Sequence, residues 1–149
     1  MAERLTGGDI GCWVIKSRTP VAEIGGGWGV ATDRELTRCL RRSYRVDLMQ
    51  PGQPCLLWVS GRQQPGVQAL GRLVSGAEAM EQPDSDHRQV QVRVWLRRLR
   101  HPVPRAALLA DHVLAGAEVL RMPAGSNPSY LSPQLWAALN AFLSPDDLG

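Results

Sequence analysis

The three histidines are the residues that would normally supply acid–base catalysis, and their surroundings do not favour it. His87 and His101 fall in predicted turns, and His112 directly follows Asp111. A serine or cysteine hydrolase needs a nucleophile beside a histidine that a carboxylate orients. No Gly-x-Ser-x-Gly sequence occurs in the chain. We therefore expect a protein that is not an enzyme.

The cysteines and the single lysine give no sign of a metal or a cofactor. Cys12, Cys39 and Cys55 each lack a second cysteine two to four residues away, so neither a zinc site nor a redox pair is indicated. All three are predicted to be reduced residues of the core. Lys16 is preceded by Val-Ile, where a phosphate-binding loop would be rich in glycine. We predict no metal and no cofactor.

Tryptophan can bind a planar ligand without catalysis, and the five tryptophans differ in their surroundings. Trp28 lies among four glycines, which favours an exposed ring on which a ligand packs. Trp58 lies in a predicted buried strand, and core and pocket are equally good interpretations for it. Trp13 and Trp136 are expected in the core. Trp95 lies between arginines, and we expect it to stack on them rather than on a base.

Arginine can bind phosphate, and much of the positive charge falls in two segments. The formal net charge of +3 is by itself weak evidence for a polyanionic partner. If residues 33–44 form a helix, five arginines share its polar side: Arg34, Arg38, Arg41, Arg42 and Arg45. Six more lie between residues 87 and 105 with no acidic residue among them: Arg88, Arg93, Arg97, Arg98, Arg100 and Arg105. Such a helix face is more often solvated, and phosphate contact is the alternative.

The bulk properties of the chain predict one domain over residues 1–149 that stays in the cytoplasm. The 149 residues are 44% hydrophobic, which is close to the globular average. No apolar run approaches the roughly 18 residues that a membrane span needs. Residues 1–10 lack the basic start and apolar block of a signal peptide. We expect no contact with a membrane, and the oligomeric state is left open.

Alternating apolar residues predict the strands that must position these side chains. Buried strands are expected over residues 12–15, 55–60 and 67–77, with a bulge or bend at Gly71 and Gly76. The cleanest period-two pattern covers residues 90–97, after an acidic, turn-rich stretch from residue 79 to 86.

Three helices are predicted, and residues 113–122 are left unassigned. The first, residues 33–44, would bury Leu36, Cys39, Leu40 and Tyr44. The second covers residues 105–111. The third begins at Ser132 as N-cap, with Pro133 in the first turn, and ends near residue 143. The class is α+β, with a curved, mostly antiparallel β-barrel or sheet.

The order of these segments resembles the EVE domain of the PUA-like superfamily, a relative of the YTH domain. The family opens with a strand that ends in Lys-Ser, as in Cys12-Trp-Val-Ile-Lys-Ser17. A loop with a pocket tryptophan follows, here Trp28-Gly-Val, and later a strand that ends as Leu57-Trp-Val-Ser60. The last loop and helix, from Gly125-Ser-Asn-Pro-Ser-Tyr-Leu-Ser onward, complete the resemblance. Arg18 departs from the small polar or acidic residue usual after Lys-Ser.

The resemblance implies a PUA-like fold with about three helices and a non-catalytic reader that holds a modified base of RNA or DNA in an aromatic pocket. The base pocket implied in this chain consists of Lys16, Ser17, Trp28, Trp58, Ser60 and Asn127. The side chains expected on phosphates are Arg18, Arg34, Arg38, Arg41, Arg42, Arg93 and Arg97. One alternative is a protein-interaction adaptor whose basic helix docks on an acidic partner. Another is an enzyme that acts on a nucleobase or small heterocycle, for which Lys16 is the one candidate titratable residue.

Overall fold

Seven strands form one mixed sheet in a computed structural model, which describes residues 4–79 and 89–148. The strands are β1 (Cys12–Ser17), β2 (Asp33–Arg41), β3 (Pro54–Val59), β4 (Gly66–Leu73), β5 (Glu78–Ala79), β6 (Gln89–Pro104) and β7 (Ser129–Leu131). Their order is β2-β6-β4-β3-β1-β7, and β5 also pairs with β6. Among the described strands only β1 and β3 pair in parallel. The sheet is mostly antiparallel, as expected, and open rather than closed.

Four short α-helices accompany the sheet in the described ranges. They are α1 (Arg105–Ala110), α2 (Glu118–Arg121), α3 (Pro133–Asn140) and α4 (Pro145–Leu148). The predicted start of the terminal helix is confirmed, because Ser132 Oγ accepts a hydrogen bond from Leu135 N at 3.2 Å. None of the described helices is long and apolar enough to cross a membrane. The α+β class is confirmed.

The two faces of the sheet bury two separate groups of apolar side chains. Alternation along β1 sends Trp13 and Ile15 into the first group, which also contains Trp28. Cys12 and Val14 enter the second group, which the helices cover. The parallel register of β1 with β3 repeats this division on the neighbouring strand. Residues near the ends of these strands therefore belong to one face or the other according to their parity.

Residues 33–44 are not a helix: Asp33–Arg41 is the edge strand β2, paired with β6 over its whole length. Leu36 and Leu40 are four residues apart, which places them on one side of a helix and also, because four is even, on one face of a strand. The sequence prediction was wrong because it used only the helical period. The pairing with β6 satisfies the backbone of β2, and Cys39 then faces solvent instead of the core.

The cysteines are predicted to differ sharply in reactivity. Burial raises the pKa of Cys55 to about 12. The pKa of Cys12 is also raised, mainly by burial and to a smaller extent by the nearby Cys55. Iodoacetamide at pH 8 should alkylate Cys39 quickly and leave the other two unmodified until the protein unfolds, as mass spectrometry would show. Cys39→Ser should abolish the fast reaction. Fast labelling of Cys12 or Cys55 in the folded protein would contradict this placement.

Several sequence predictions fall outside the described residues. The acidic turn of residues 79–86 is described only at Ala79, and His87 and Arg88 are not described.

The strand predicted over residues 90–97 is confirmed and extended, because β6 continues to Pro104. The segment left unassigned contains a 3₁₀ turn at Leu114–Gly116 and helix α2.

Candidate nucleic-acid interface

The carboxyl ends of β1 and β3 border a cavity of about 200 Å³, which we call the β1–β3 cavity. Because the two strands are parallel, with Lys16 opposite Trp58 and Ser17 opposite Val59, both chains leave the sheet at the same edge. The loop after α2 closes the other side. The lining residues are Lys16, Ser17, Arg18, Ser60, Pro123, Ala124, Gly125 and Asn127. Four of the six residues predicted for the base pocket therefore meet here, together with Arg18.

Asn127 and Ser17 hold the walls of this cavity in place. The Asn127 side chain accepts from Lys16 N at 3.1 Å and donates to Lys16 O at 3.4 Å, so it extends β1 as a strand partner would. Ser17 Oγ accepts from Thr19 N at 3.1 Å and donates to Thr19 O at 3.2 Å. Ser60 Oγ donates to Ser17 O at 3.4 Å. The side chains of Ser17 and Asn127 therefore mainly hold the backbone of the cavity walls in place.

Lys16 brings a positive charge to the cavity wall. Its Nζ donates to Pro123 O at 3.3 Å, which leaves two ammonium protons for a ligand. Burial lowers the pKa of Lys16, an effect that nearby Glu118 opposes and nearby Arg45 reinforces. Lys16 is therefore a partly desolvated cation, which is a better donor to a ligand than a fully hydrated one.

An ion pair that the sequence did not predict lies near Lys16. Arg45 donates from both terminal nitrogens to the two oxygens of Glu118, each at 2.7 Å. Ser129 Oγ donates to the same carboxylate at 2.8 Å, and the Arg45 guanidinium lies 5.3 Å from the centre of the Tyr130 ring. These bonds, chiefly that from Arg45, lower the pKa of Glu118. No sequence signal could pair two residues 73 positions apart.

The expected tryptophan walls are absent from the β1–β3 cavity. Trp28 and Trp58 are each 3% exposed and pack in the two cores on opposite faces of the sheet. Trp28 Nε1 donates to Thr32 O at 3.0 Å, which fixes the ring inward. The glycines around Trp28 allow the chain to make the turn that buries the ring. Trp13 is in the core, as predicted, and Trp95 is 38% exposed.

Arg41 and Arg42 line a second cavity of about 470 Å³, which we call the Arg41–Arg42 cavity. It shares three lining residues with the β1–β3 cavity, namely Ala124, Gly125 and Asn127. The backbone N–H of Arg41 donates to Asn127 O at 3.2 Å, which ties the end of β2 to this loop. The two cavities are therefore neighbours, and the second supplies guanidinium groups beside the first.

The other arginines predicted on phosphates lie elsewhere. Arg93 pairs with Glu78 at 3.3 Å and Arg97 with Asp33 at 3.9 Å. These two, together with Arg34 and Arg38, line neither of the two cavities. Alternation along β2 puts Arg34 and Arg38 on the face opposite Arg41, so the arginine stripe of the predicted helix does not exist.

Comparison with known proteins shows similarity in fold and not in sequence. No family model matches the chain, and no curated protein matches it in sequence. The DUF55 domain of human thymocyte nuclear protein 1 is similar, with 20% identity, TM-score 0.56 and coverage of 92% of this chain and 99% of that one.

Two further solved structures show the same similarity. A hypothetical protein from Leishmania major has 17% identity, TM-score 0.62 and coverage of 90% and 94%. Human THYN1 in complex with DNA containing 5-methylcytosine has 16% identity, TM-score 0.51 and coverage of 88% and 96%. The chain therefore has the fold of the DUF55 and THYN1 structures, an α+β fold with a curved sheet as the resemblance led us to expect.

Proposed function

We propose that this protein binds nucleic acid and holds one modified base in the β1–β3 cavity, without catalysing a reaction. The observation that carries the proposal is the convergence of Lys16, Ser17, Ser60 and Asn127 on one cavity whose charged side chains are Lys16 and Arg18. These residues come from two strand ends and a distant loop. A cavity with cationic walls favours an anionic ligand such as a nucleotide.

The size of the cavity suits a single base. Sites for drug-sized ligands are about 300–1,000 Å³, and this cavity is about 200 Å³. The exposed Arg18 guanidinium can stack on a base, as arginine does in RNA-binding proteins. Pro123 and Ala124 offer apolar surface to an added methyl group, whose burial is worth of order 1 kcal/mol. The walls would then be a guanidinium plane and small apolar side chains instead of two tryptophans.

Polar groups at the cavity give the base and its phosphates specific partners. Lys16 can donate to the base edge with the ammonium protons that Pro123 O does not take, and Ser60 Oγ, which donates to Ser17 O, can still accept. Ser17 Oγ and the Asn127 amide both donate to and accept from the backbone. Arg41 in the neighbouring cavity is placed for the phosphate on one side of the base. Phosphate contacts release counterions, so the affinity should fall with added salt.

The comparison with human THYN1 supports the choice of ligand. That protein was solved with DNA that contains 5-methylcytosine. The adaptor alternative loses its basis, because it required a basic helix over residues 33–44 and most of that segment, Asp33–Arg41, is strand β2. The cytoplasmic location and the single-domain organisation stay predictions.

The test is an anisotropy titration with short labelled oligonucleotides, with and without 5-methylcytosine, at low and moderate salt. We expect tighter binding of the methylated oligonucleotide. Ala124→Leu should weaken binding at least about tenfold, because its side chain enters the cavity from an exposed position. Ala137→Leu on the exposed side of α3 is the matched control and should bind as the wild type does.

Two results would contradict the proposal. One is the absence of binding to any oligonucleotide at low salt. The other is equal affinity of the Ala124→Leu and wild-type proteins for the methylated oligonucleotide, which would place the base elsewhere. Circular dichroism of both leucine variants would show that each retains the fold.

A further inference from the structure

A third cavity lies on the other side of the turn that follows β1. This cavity, the Arg98 cleft, has a volume of about 470 Å³. Its polar lining includes Arg62, Arg98 and Gln68, and its apolar lining includes Pro20, Val21 and Val59. None of these residues belongs to the base pocket or the phosphate contacts predicted from the sequence.

The cleft and the β1–β3 cavity both lie at the carboxyl ends of β1 and β3. Val59 lines the cleft and the next residue, Ser60, lines the cavity. Arg18 lines the cavity, and two residues later Pro20 lines the cleft. The two spaces are therefore separated only by the chain that leaves β1 and β3, and a ligand of more than one nucleotide can reach both.

The polar side chains of the cleft are held in position by the protein. Gln68 is only 4% exposed, and its Nε2 donates to Gln64 O at 2.6 Å. Within the described residues no buried side-chain oxygen or nitrogen is left without a partner, so Gln68 Oε1, which no donor meets, keeps some accessible surface, and Gln68 is one of the residues that line the cleft. One terminal nitrogen of Arg98 donates to Trp28 O, and the guanidinium keeps its other donors.

The three cavities near the ends of β1 and β3 differ in charge from the surface formed by β2 and β6. Among the described residues that line the β1–β3 cavity, the Arg41–Arg42 cavity and the Arg98 cleft, none is acidic. Each of the three cavities has at least two basic residues. On the β2–β6 surface, by contrast, Arg93 and Arg97 have carboxylate partners. The side chains that line the three cavities are thus basic or neutral, whereas the arginines of the β2–β6 surface stand beside carboxylates.

We propose that the Arg98 cleft binds a second nucleotide of the same strand whose modified base occupies the β1–β3 cavity. Arg62 and Arg98 bind its phosphate, and Gln68 Oε1 accepts a hydrogen bond from an exocyclic amino group of its base. The ligand is then single-stranded or locally opened nucleic acid, because two bases on opposite sides of the residue 17–20 turn cannot remain stacked on each other. The inference rests on the proposed function and extends it.

The first test compares two charge-neutralising variants by anisotropy with a labelled single-stranded pentanucleotide that carries 5-methylcytosine. Arg62→Gln should weaken binding about tenfold and reduce the slope of log K against log salt by about 0.7, the value for one single-strand phosphate contact. Arg72→Gln removes the same charge from the exposed part of β4 outside the three cavities. It should change the affinity less than about twofold. Equal effects of the two variants would overturn the inference.

The second test separates this inference from the proposed function. Side-chain amide signals are followed by NMR during titration with a methylated mononucleotide and with the pentanucleotide. We expect both ligands to shift the Asn127 amide, and only the pentanucleotide to shift the Gln68 amide. A shift of Asn127 with no shift of Gln68 would overturn the second site and leave the base site standing. No shift of either would overturn both.

Discussion

Gly71→Ala is expected to lower the free energy of unfolding by about 3 kcal/mol or more, the upper range for inserting atoms into a packed interior. Gly71 lies in β4 opposite Leu96 of β6. A Cβ at this position would collide with the carbonyl oxygen of Trp95 and lie 3.0 Å from Leu96 Cα. Both atoms belong to backbone, so neither can rotate away, and the two central strands would have to separate.

Urea denaturation followed by circular dichroism would measure this effect. Gly116→Ala is the matched control, because no described heavy atom lies within 4 Å of its Cβ and its backbone has no left-handed conformation. It should change stability by no more than about 0.5 kcal/mol. A Gly71→Ala protein as stable as the control would show that β4 and β6 do not approach as closely as described.

Glu118→Gln should lower the free energy of unfolding at neutral pH by about 2 kcal/mol, as expected for lost hydrogen bonds between charged groups. The carboxylate accepts from Arg45 twice and from Ser129 once, and its side chain is only 15% exposed. A glutamine amide would turn an N–H donor toward the Arg45 guanidinium. That guanidinium would then be partly buried without a counter-charge.

The same residue predicts how stability depends on pH. The pKa of Glu118 is lower in the folded protein than its ordinary value of 4.5, chiefly because Arg45 donates to it. Its stabilising contribution is therefore complete above pH 4.5 and is lost as the pH falls through the folded value. Wild-type stability should decline over this interval more steeply than that of Glu118→Gln.

Denaturant titrations from pH 7 to pH 3 on both proteins would test the prediction. Glu35→Gln removes an exposed carboxylate from β2 and should alter stability at pH 7 by no more than about 0.5 kcal/mol. If the stability difference between wild type and Glu118→Gln stayed constant down to pH 3, the lowered pKa would be disproved.

The contrast between β6 and β2 shows how far local sequence patterns predict this fold. Strict alternation over residues 90–97 is incompatible with a helix, so that strand could be predicted. The apolar spacing of four in residues 33–44 fits both structures, and only the long unpaired edge of β6 selects the strand. A bulge or bend was expected at Gly71 and Gly76. The chain bends next to Gly76, between β4 and β5, whereas the register of β4 with β6 shifts between Val67 and Ala69 and Gly71 permits close strand approach.

The candidate site divides in a similar way. Lys16, Ser17 and Ser60 lie at the ends of the two buried strands that could be read from the sequence, and their convergence with Asn127 was implied by the resemblance. Trp28 was expected at the cavity because glycines surround it. Flexible glycines permit either an exposed or a buried ring, and burial of a large aromatic surface together with the bond to Thr32 O selects the buried one.

By itself the sequence determined the α+β class, the principal buried strands and the cap of the terminal helix, because each depends on residues that are near neighbours in the chain. Tertiary structure alone decided that β2 is a strand, that Arg45 pairs with Glu118, and that basic side chains line the cavities where β1 and β3 end. These features arise from contacts between residues far apart in the chain, and neither periodicity nor composition carries information about such contacts.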